Sequence, residues 1–160
     1  MSRSTKVYMA QGAAELIAES GGAITAKAGS TLRVQGFMPK AQAVPAAKTT
    51  AVTLTIAELL TGIVTATHTV GGTAAYTLPT GTLVDAGCSL DVGDSFDWSL
   101  INLSAAALDT VTVTAGEGHT IVGNAIVQSV HASTGLIYGS SGMFRTKKTA
   151  ANTMVTYRIA

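Results

Sequence analysis

Residues 93–102, Gly-Asp-Ser-Phe-Asp-Trp-Ser-Leu-Ile-Asn, contain the clearest strand pattern in the chain. Phe96, Trp98 and Leu100 alternate there with small or acidic residues. Because successive side chains of a strand point to opposite faces, this period of two predicts a strand with one buried face and one exposed face. The preceding Asp91-Val92-Gly93-Asp94 is typical of a turn.

Short stretches with the same period lie on both sides of this strand. Threonine alternates with aliphatic residues at 51–56 and 110–114, and abundant Thr is expected on the exposed side of such strands. The sequence predicts one helical turn at 57–60, a strand at 63–68, a Gly-Gly hairpin turn at 70–73, a strand at 75–78, a short helix within 81–88 and a closing hairpin from 143–145 to 154–159. Many short strands at this spacing predict an all-β fold, an antiparallel β-sandwich or a jelly-roll-like domain.

The first 48 residues differ in texture from the rest. Residues 24–28 and 32–36 alternate between apolar and polar positions, and glycines separate the stretches. Pro39 and Pro45 are typical of a linker. We therefore expect a short N-terminal β-strand arm or stalk at 1–48 and a β-sandwich domain at 49–160.

The composition is poor in charge. Hydrophobic residues make up 47% of the chain and charged residues 12%, whereas about 25% charged residues is usual. The chain has no run of about 18 apolar residues that would span a membrane, and its start lacks the apolar core of a secretory signal. These features favour a protein made in the cytoplasm whose surface is largely covered by other subunits, that is, a homo-oligomer with no membrane partner.

The few charges are segregated along the chain. Residues 1–48 carry six basic and two acidic residues, residues 49–144 carry seven acidic and no basic residues, and residues 145–160 carry four basic residues. Basic ends around an acidic middle suggest electrostatic docking, between subunits or onto an acidic partner. The basic residues are too sparse, and aromatic residues too few, to favour nucleic acid as that partner.

The nucleophile and metal-ligand residues form no motif. His68, His119 and His131 are far apart in sequence, and interface or surface histidines are commoner than a metal site built from three such residues. The single cysteine, Cys88, has no activating neighbour and is interpreted as an inert thiol.

Three carboxylates lie close together in the sequence, just before and within the predicted strand at 95–100. Asp91, Asp94 and Asp97 could offer oxygen ligands to Ca²⁺, but their spacing is not that of an EF-hand. Two of them could also serve a polysaccharide-cleaving enzyme, although Asp91 and Asp94 are ordinary turn residues. The sequence therefore predicts no catalytic, cofactor-binding or metal-binding residues and a protein that is not an enzyme.

Several stretches together resemble a known family. The C-terminal β-domain of tailed-phage virion proteins, chiefly capsid decoration (cement) proteins and head fibres, is similar to residues 77–87 (TLPTGTLVDAG), 93–102, 110–124 (TVTVTAGEGHTIVGN), 142–148 and 157–159. The resemblance implies a trimer of β-sandwich or jelly-roll domains on the capsid exterior, at threefold positions, with the major capsid protein as partner. It implies no catalytic residues.

The leading hypothesis is a phage virion protein that decorates and stabilises the capsid by binding across capsomer junctions as a trimer. Its candidate capsid-anchoring residues are the basic residues of the arm, Arg3, Lys6, Lys27 and Arg33. The alternative is a fibre or receptor-binding domain that recognises a host-surface glycan.

Four aromatic residues are candidate core or trimer contacts. They are Phe96, Trp98, Phe144 and Tyr157.

Overall fold

The computed structural model describes the backbone of residues 7–9 and 16–18 and, with side chains, residues 42–68, 72–106, 109–129 and 140–160. The chain divides into two compact units, Met1–Lys40 and Ala41–Ala160. In the first unit, strand β1 (Val7–Met9) pairs antiparallel with β2 (Leu16–Ala18).

The predicted strands at 24–28 and 32–36 lie outside the described residues. The second unit begins at Ala41, eight residues before the predicted boundary at residue 49. The reason is that residues 46–48 form a strand that belongs to a sheet of the second unit.

The second unit contains ten strands and two short helices among its described residues. These are β3 (Ala46–Lys48), β4 (Val52–Thr53), α1 (Ile56–Leu60), β5 (Ile63–Ala66), β6 (Thr73–Thr77), α2 (Gly81–Gly87), β7 (Ser95–Asn102), β8 (Thr110–Thr114), β9 (His119–Val122), β10 (Ile126–Val127), β11 (Ser141–Ala150) and β12 (Thr153–Arg158). In the described chain, no helix is long and apolar enough to cross a membrane. The prediction of a mostly β fold is confirmed.

The strands form two sheets, and the chain alternates between them. The six-stranded sheet has the order β3-β5-β7-β11-β12-β9, and the four-stranded sheet has the order β10-β8-β6-β4. From β3 to β11, each strand is followed by one in the other sheet. Strands β3, β5 and β7 therefore run parallel to one another, and so do β4, β6 and β8.

The prediction of an antiparallel domain is therefore wrong, because both sheets are mixed. Antiparallel pairing joins β11 to β7 and β12, and β10 to β8. The predicted Gly-Gly hairpin at 70–73 is also wrong, since the strands on its two sides, β5 and β6, belong to different sheets. Gly72, at a φ of 153°, lies just before β6, and its carbonyl accepts a hydrogen bond from the Thr110 backbone at the start of β8.

The buried faces of the two sheets contribute to one hydrophobic core. Trp98 of β7 and Phe144 of β11 stack with ring centroids 4.7 Å apart, and both are buried. Tyr76, Val111 and Val113, from the four-stranded sheet, belong to the same core cluster. Burial of these large apolar side chains supplies the main force that holds the sheets in place.

Two buried threonines complete this core. The Trp98 indole Nε1 donates to the Thr146 hydroxyl at 3.1 Å, and Thr146 and Thr156 share a hydrogen bond of 3.0 Å. A buried indole N–H without a partner would be costly. The burial of Thr146 and Thr156 contradicts the expectation that Thr occupies the exposed side of the strands. The physical reason is that the buried Trp98 indole N–H requires a hydrogen-bond acceptor.

Helix α1 connects the two sheets and is fixed at its start. Thr55 caps the helix by accepting from the Glu58 backbone, and Glu58 accepts from the Thr55 backbone, which is a capping box. The Glu58 carboxylate also pairs with Lys48 of β3. Gly62, at a φ of 81°, ends this segment before β5, since glycine adopts that conformation without strain.

Candidate functional site

The surface most suited to binding is the exposed face of the six-stranded sheet, opposite the core. We call it the outer six-strand face. Its side chains alternate with buried ones along β7, β11 and β12, and the strand register brings them together. It comprises Ile63, Thr65, Asp97, Ser99, Ile101, Thr120, Val122, Met143, Arg145, Lys147, Val155, Tyr157 and Ile159.

One corner of this face is apolar and exposed. Tyr157 lies directly opposite Val122, and the Ile159 backbone is hydrogen-bonded beside Met143. The exposed fractions are 46% for Val122, 40% for Met143, 36% for Tyr157 and 45% for Ile159. Opposite and diagonal neighbours across strands are close enough to touch, so these side chains form a continuous patch. We call these four residues the apolar corner.

Beside the apolar corner lies an ion pair. The Arg145 guanidinium donates to Asp97 through Nε and Nη2, both at 2.7 Å, in the bidentate geometry that suits Arg and carboxylate. Asp97 and Arg145 are register partners on β7 and β11, and Arg145 is also opposite Tyr157. The hydrogen bonds and charge of Asp97 raise the pKa of Arg145.

The exposed face of the four-stranded sheet has a different chemistry. We call it the threonine face, and it comprises Thr53, Thr73, Ala75, Thr77, Thr110, Thr112, Thr114 and Ile126. Two pairs of hydroxyls on β6 and β8 hydrogen-bond to each other at 2.9 Å, Thr73 with Thr110 and Thr77 with Thr114. This face is polar without carrying charge.

The charge segregation of the sequence has an explanation within the chain. Each of the three described ion pairs joins a basic residue near one end of the chain to a carboxylate of the acidic middle: Lys48 with Glu58, Arg145 with Asp97 and Lys148 with Asp85. The pattern therefore contributes to folding, and it does not by itself require a charged partner.

The pair that holds helix α2 is the most enclosed of the three. Lys148 Nζ lies 2.7 Å from Asp85, whose other oxygen accepts from the Asn152 backbone at 2.7 Å. These hydrogen bonds lower the pKa of Asp85. They fix α2 against the turn between β11 and β12, where Gly81 is so close to the Asn152 carbonyl that a Cβ would lie 2.0 Å from its oxygen.

The four aromatic residues predicted as core or trimer contacts lie in different environments in the structure. Trp98 and Phe144 are buried in the core, and Phe96 is half-buried against it. Tyr157 lies on the outer six-strand face. A role in contact with another chain stays a prediction for Tyr157.

The predicted capsid-anchoring residues lie outside the described residues. These are Arg3, Lys6, Lys27 and Arg33.

Two of the three clustered carboxylates, those of Asp94 and Asp97, have protein partners. Asp94 accepts from the Asp91 backbone at 3.0 Å, and Asp97 binds Arg145. Among the residues that the structure describes, no group of three His, Cys, Asp or Glu side chains could hold a metal ion.

The described histidines and the cysteine have structural surroundings. His68 is buried, with its Nε2 3.0 Å from the Tyr76 hydroxyl, and His131 lies outside the described residues. Burial lowers the pKa of His119, whose ring nitrogens have no hydrogen-bond partner in the described chain. Burial, together with the nearby Asp85 charge, raises the pKa of Cys88, which makes its thiol a poorer nucleophile at neutral pH.

A shallow depression beside the four-stranded sheet is the other feature of note. It measures about 300 Å³ and is lined by Thr49, Thr50, Ala51, His68, Gly72, Thr73, Ala74 and Asp109. Asp109 is buried and accepts from the Gly72 backbone at 3.1 Å. The depression offers hydroxyl and carboxylate groups, and none of the described residues that line it is Phe, Tyr or Trp.

Most of the apolar corner is not predicted by the local sequence pattern. The sequence predicts no role in binding for Met143, Val122 or Ile159, although Met143 alternates with the buried Phe144. The predicted closing hairpin is confirmed as β11 and β12. The antiparallel register of this hairpin places Met143 near Tyr157 and Ile159, so the proximity of these three residues was predictable from the sequence. The position of Val122 beside Tyr157 was not predictable in this way, because β9 pairs in parallel with β12 and a long stretch of chain separates the two strands.

Comparison with known proteins adds no assignment. No protein-family model matches the chain, and neither a curated protein nor a solved structure matches it significantly.

Proposed function

We propose that this chain is a non-enzymatic virion protein of a tailed phage, which decorates and stabilises the capsid exterior by binding across capsomer junctions as a trimer. The observation that carries the proposal is the outer six-strand face, where an exposed apolar corner and a single ion pair adjoin. Contiguous exposed apolar surface of this kind marks a contact with another protein. The proposal also rests on the resemblance of residues 77–124 and 142–159 to decoration proteins.

The finer fold belongs to the same proposal. Two sheets whose buried side chains belong to one core cluster are expected of a β-sandwich, and we propose that architecture for the second unit. A jelly roll is less well supported, because its strands pair antiparallel, whereas β3, β5 and β7 here are parallel.

The proposed mechanism is mechanical. A bound trimer removes apolar surface from water at the junction between capsomers, which contributes about 25 cal/mol for each Å² buried. Because the decoration protein binds only the assembled shell, its binding free energy adds to the stability of that shell against the pressure of packaged DNA. The basic arm residues Arg3, Lys6, Lys27 and Arg33 are the proposed anchors.

The experiment is binding of the full chain to capsids stripped of this protein. We expect saturable binding and a higher temperature of capsid rupture. Replacing Arg3, Lys6, Lys27 and Arg33 together by Gln should weaken binding, whereas Thr112→Gln, on the threonine face, serves as a control outside both proposed contacts. Substitution is preferable to deletion of residues 1–48, since that deletion would remove β3 and the Lys48–Glu58 pair.

Two results would contradict the proposal. Absence of binding by the unaltered chain would contradict decoration altogether, and unchanged binding by the arm variant would contradict the anchor alone.

A glycan-binding fibre domain is the second candidate. The depression beside the four-stranded sheet favours it, because the hydroxyls of the exposed Thr49 and Thr50 can hydrogen-bond sugar hydroxyls. Specific, saturable binding on a glycan array, lost when Thr49 and Thr50 are both replaced by Val, would favour this function over decoration.

A further inference from the structure

The apolar corner differs from ordinary scattered surface residues. Val122, Met143 and Tyr157 belong to three adjacent strands, Ile159 follows β12 directly, and the four are register or diagonal neighbours. Half-buried Ile63, Ile101 and Val155 extend the apolar character across the same sheet. Such continuity is what distinguishes an interface from isolated exposed apolar side chains.

The charges of this face indicate which kind of partner it suits. Its central charges are one carboxylate and one guanidinium, Asp97 and Arg145, side by side. A strongly acidic or strongly basic partner would meet the wrong charge at one of the two positions. A second copy presents both signs, so that the carboxylate of one copy can approach the guanidinium of the other.

The residue types at this centre also fit a protein interface. Arg, Tyr and Met are enriched where proteins meet, and Lys is depleted. Among the described residues, Arg145 donates to Asp97 through Nε and Nη2, and its guanidinium has further N–H groups that can donate to acceptors of another chain. Lys147 lies toward the end of the face, near the turn, and not at its centre.

The size of the face is adequate. The six strands contain 35 residues in all. At about 3.3 Å for each residue and about 4.8 Å between strands, they cover about 550 Å² in each copy. Two neighbouring copies together present about 1,100 Å², which exceeds the threshold of about 1,000 Å² for a biological interface.

We propose that the outer six-strand face binds the neighbouring copies of this chain around the threefold axis of the trimer, with Tyr157 and Met143 in the contact and Asp97 of each copy facing Arg145 of the next. This inference rests on the proposed function, because it assigns to sister copies the face whose exposure suggested an assembly. In this arrangement the arm binds the capsid and the threonine face remains exposed to water.

The first test compares one substitution on each outer face. Tyr157→Asp places an unpaired charge in the apolar corner, and it should weaken self-association about thirtyfold or more, the effect expected of an interface hot spot. Thr112→Asp introduces the same charge on the threonine face and should leave the mass unchanged. Light scattering measures the mass of each full-length variant, and the near-UV circular dichroism of Trp98 reports whether its core is intact.

The second test uses charge reversal and does not depend on Tyr157. Asp97→Arg and Arg145→Asp each give the centre of the face charges of one sign, so each variant alone should repel its own copies. An equimolar mixture of the two should regain multi-chain mass, because two of the three contacts in a mixed trimer then join opposite charges. A mixture whose mass equals that of the separate variants overturns the inference, as does unaltered association of Tyr157→Asp.

The outcomes separate this inference from the proposed function. Suppose that the wild type contains several chains, that Tyr157→Asp has the same mass as the wild type, and that mixing the two charge variants does not restore the mass. These results overturn the assignment of the face alone, and capsid binding then still supports decoration. A wild type that is a single chain at every concentration and does not bind capsids overturns both.

Discussion

The two sheets share one core, but their outer faces present different chemical groups to their surroundings. The threonine face presents rows of hydroxyls, two pairs of which hydrogen-bond to each other. The outer six-strand face presents Met143, Tyr157, Val122 and Ile159 around a single ion pair. The threonine face carries no charge, and the outer six-strand face carries Asp97, Arg145 and Lys147.

The difference teaches what low charge means in this chain. A threonine hydroxyl is satisfied by water or by its neighbour, and its branched shape suits a strand, so the threonine face can remain exposed. The apolar corner has no such means of interacting with water. Low charge therefore does not indicate that the whole surface is covered, and the partner that we propose concerns only one of the two faces.

The largest expected effect comes from the shared core beneath both faces. Trp98→Ala in the six-stranded sheet and Tyr76→Ala in the four-stranded sheet should each lower the free energy of unfolding by about 3–5 kcal/mol, because each leaves a cavity. Trp98→Ala also deprives the Thr146 hydroxyl of its donor. Urea unfolding followed by far-UV circular dichroism measures the change.

Thr112→Ala is the matched control from the threonine face, and it should change the free energy of unfolding by less than about 0.5 kcal/mol. A cost for Tyr76→Ala as small as that of Thr112→Ala would contradict a core shared by the two sheets.

A smaller effect is expected at the connection between the sheets. Burial opposes ionisation of Glu58, but the Lys48 ammonium and the Thr55 backbone outweigh it and lower the pKa of Glu58 below its ordinary value of 4.5. The contribution of a carboxylate with a lowered pKa is complete above pH 4.5 and is lost as the pH falls through the folded-state pKa. Glu58→Gln should therefore cost at most about 1 kcal/mol at pH 7.

The difference between wild type and Glu58→Gln should shrink as the pH falls below 4.5. Urea unfolding of both proteins at several pH values measures this difference and removes the contribution of other carboxylates, Asp85 among them. A difference that grows at low pH would contradict the sign of the shift.

The smallest effect is expected within the threonine face. Thr73 and Thr110 share a hydrogen bond at an exposed site, so the coupling between Thr73→Val and Thr110→Val should be about 0.2–1 kcal/mol in a double-mutant cycle. Neither variant should change the mass of the assembly. Loss of association in either one would contradict the division of roles between the two faces.

The sequence predicts the elements of this fold better than their arrangement. Alternation in residues 95–100, the helical turn ended by Gly62 and the closing hairpin all appear in the structure, because each depends on residues near one another in the chain. The assignment of β5 and β6 to different sheets was not predictable in this way. Gly-Gly is compatible with a tight hairpin and with a crossing between sheets, and only packing of Val64 and Tyr76 in the common core decides.

The candidate site shows the same limit. Asp97 was predictable as an outward residue, since Phe96, Trp98 and Leu100 face inward. Its partner Arg145 lies 48 residues away and depends on the antiparallel register of β7 and β11. Thr146 and Thr156 are equally invisible to a local pattern, because their burial follows from the need of the Trp98 indole for an acceptor.

The measurement that tests the central claim most directly is the mass of the unaltered chain in solution, by light scattering across a range of concentrations. A covered outer six-strand face predicts a stable multi-chain particle that persists down to about micromolar concentration. A single chain that stays dispersed at about 100 µM would show that water tolerates the apolar corner, and it would contradict the account.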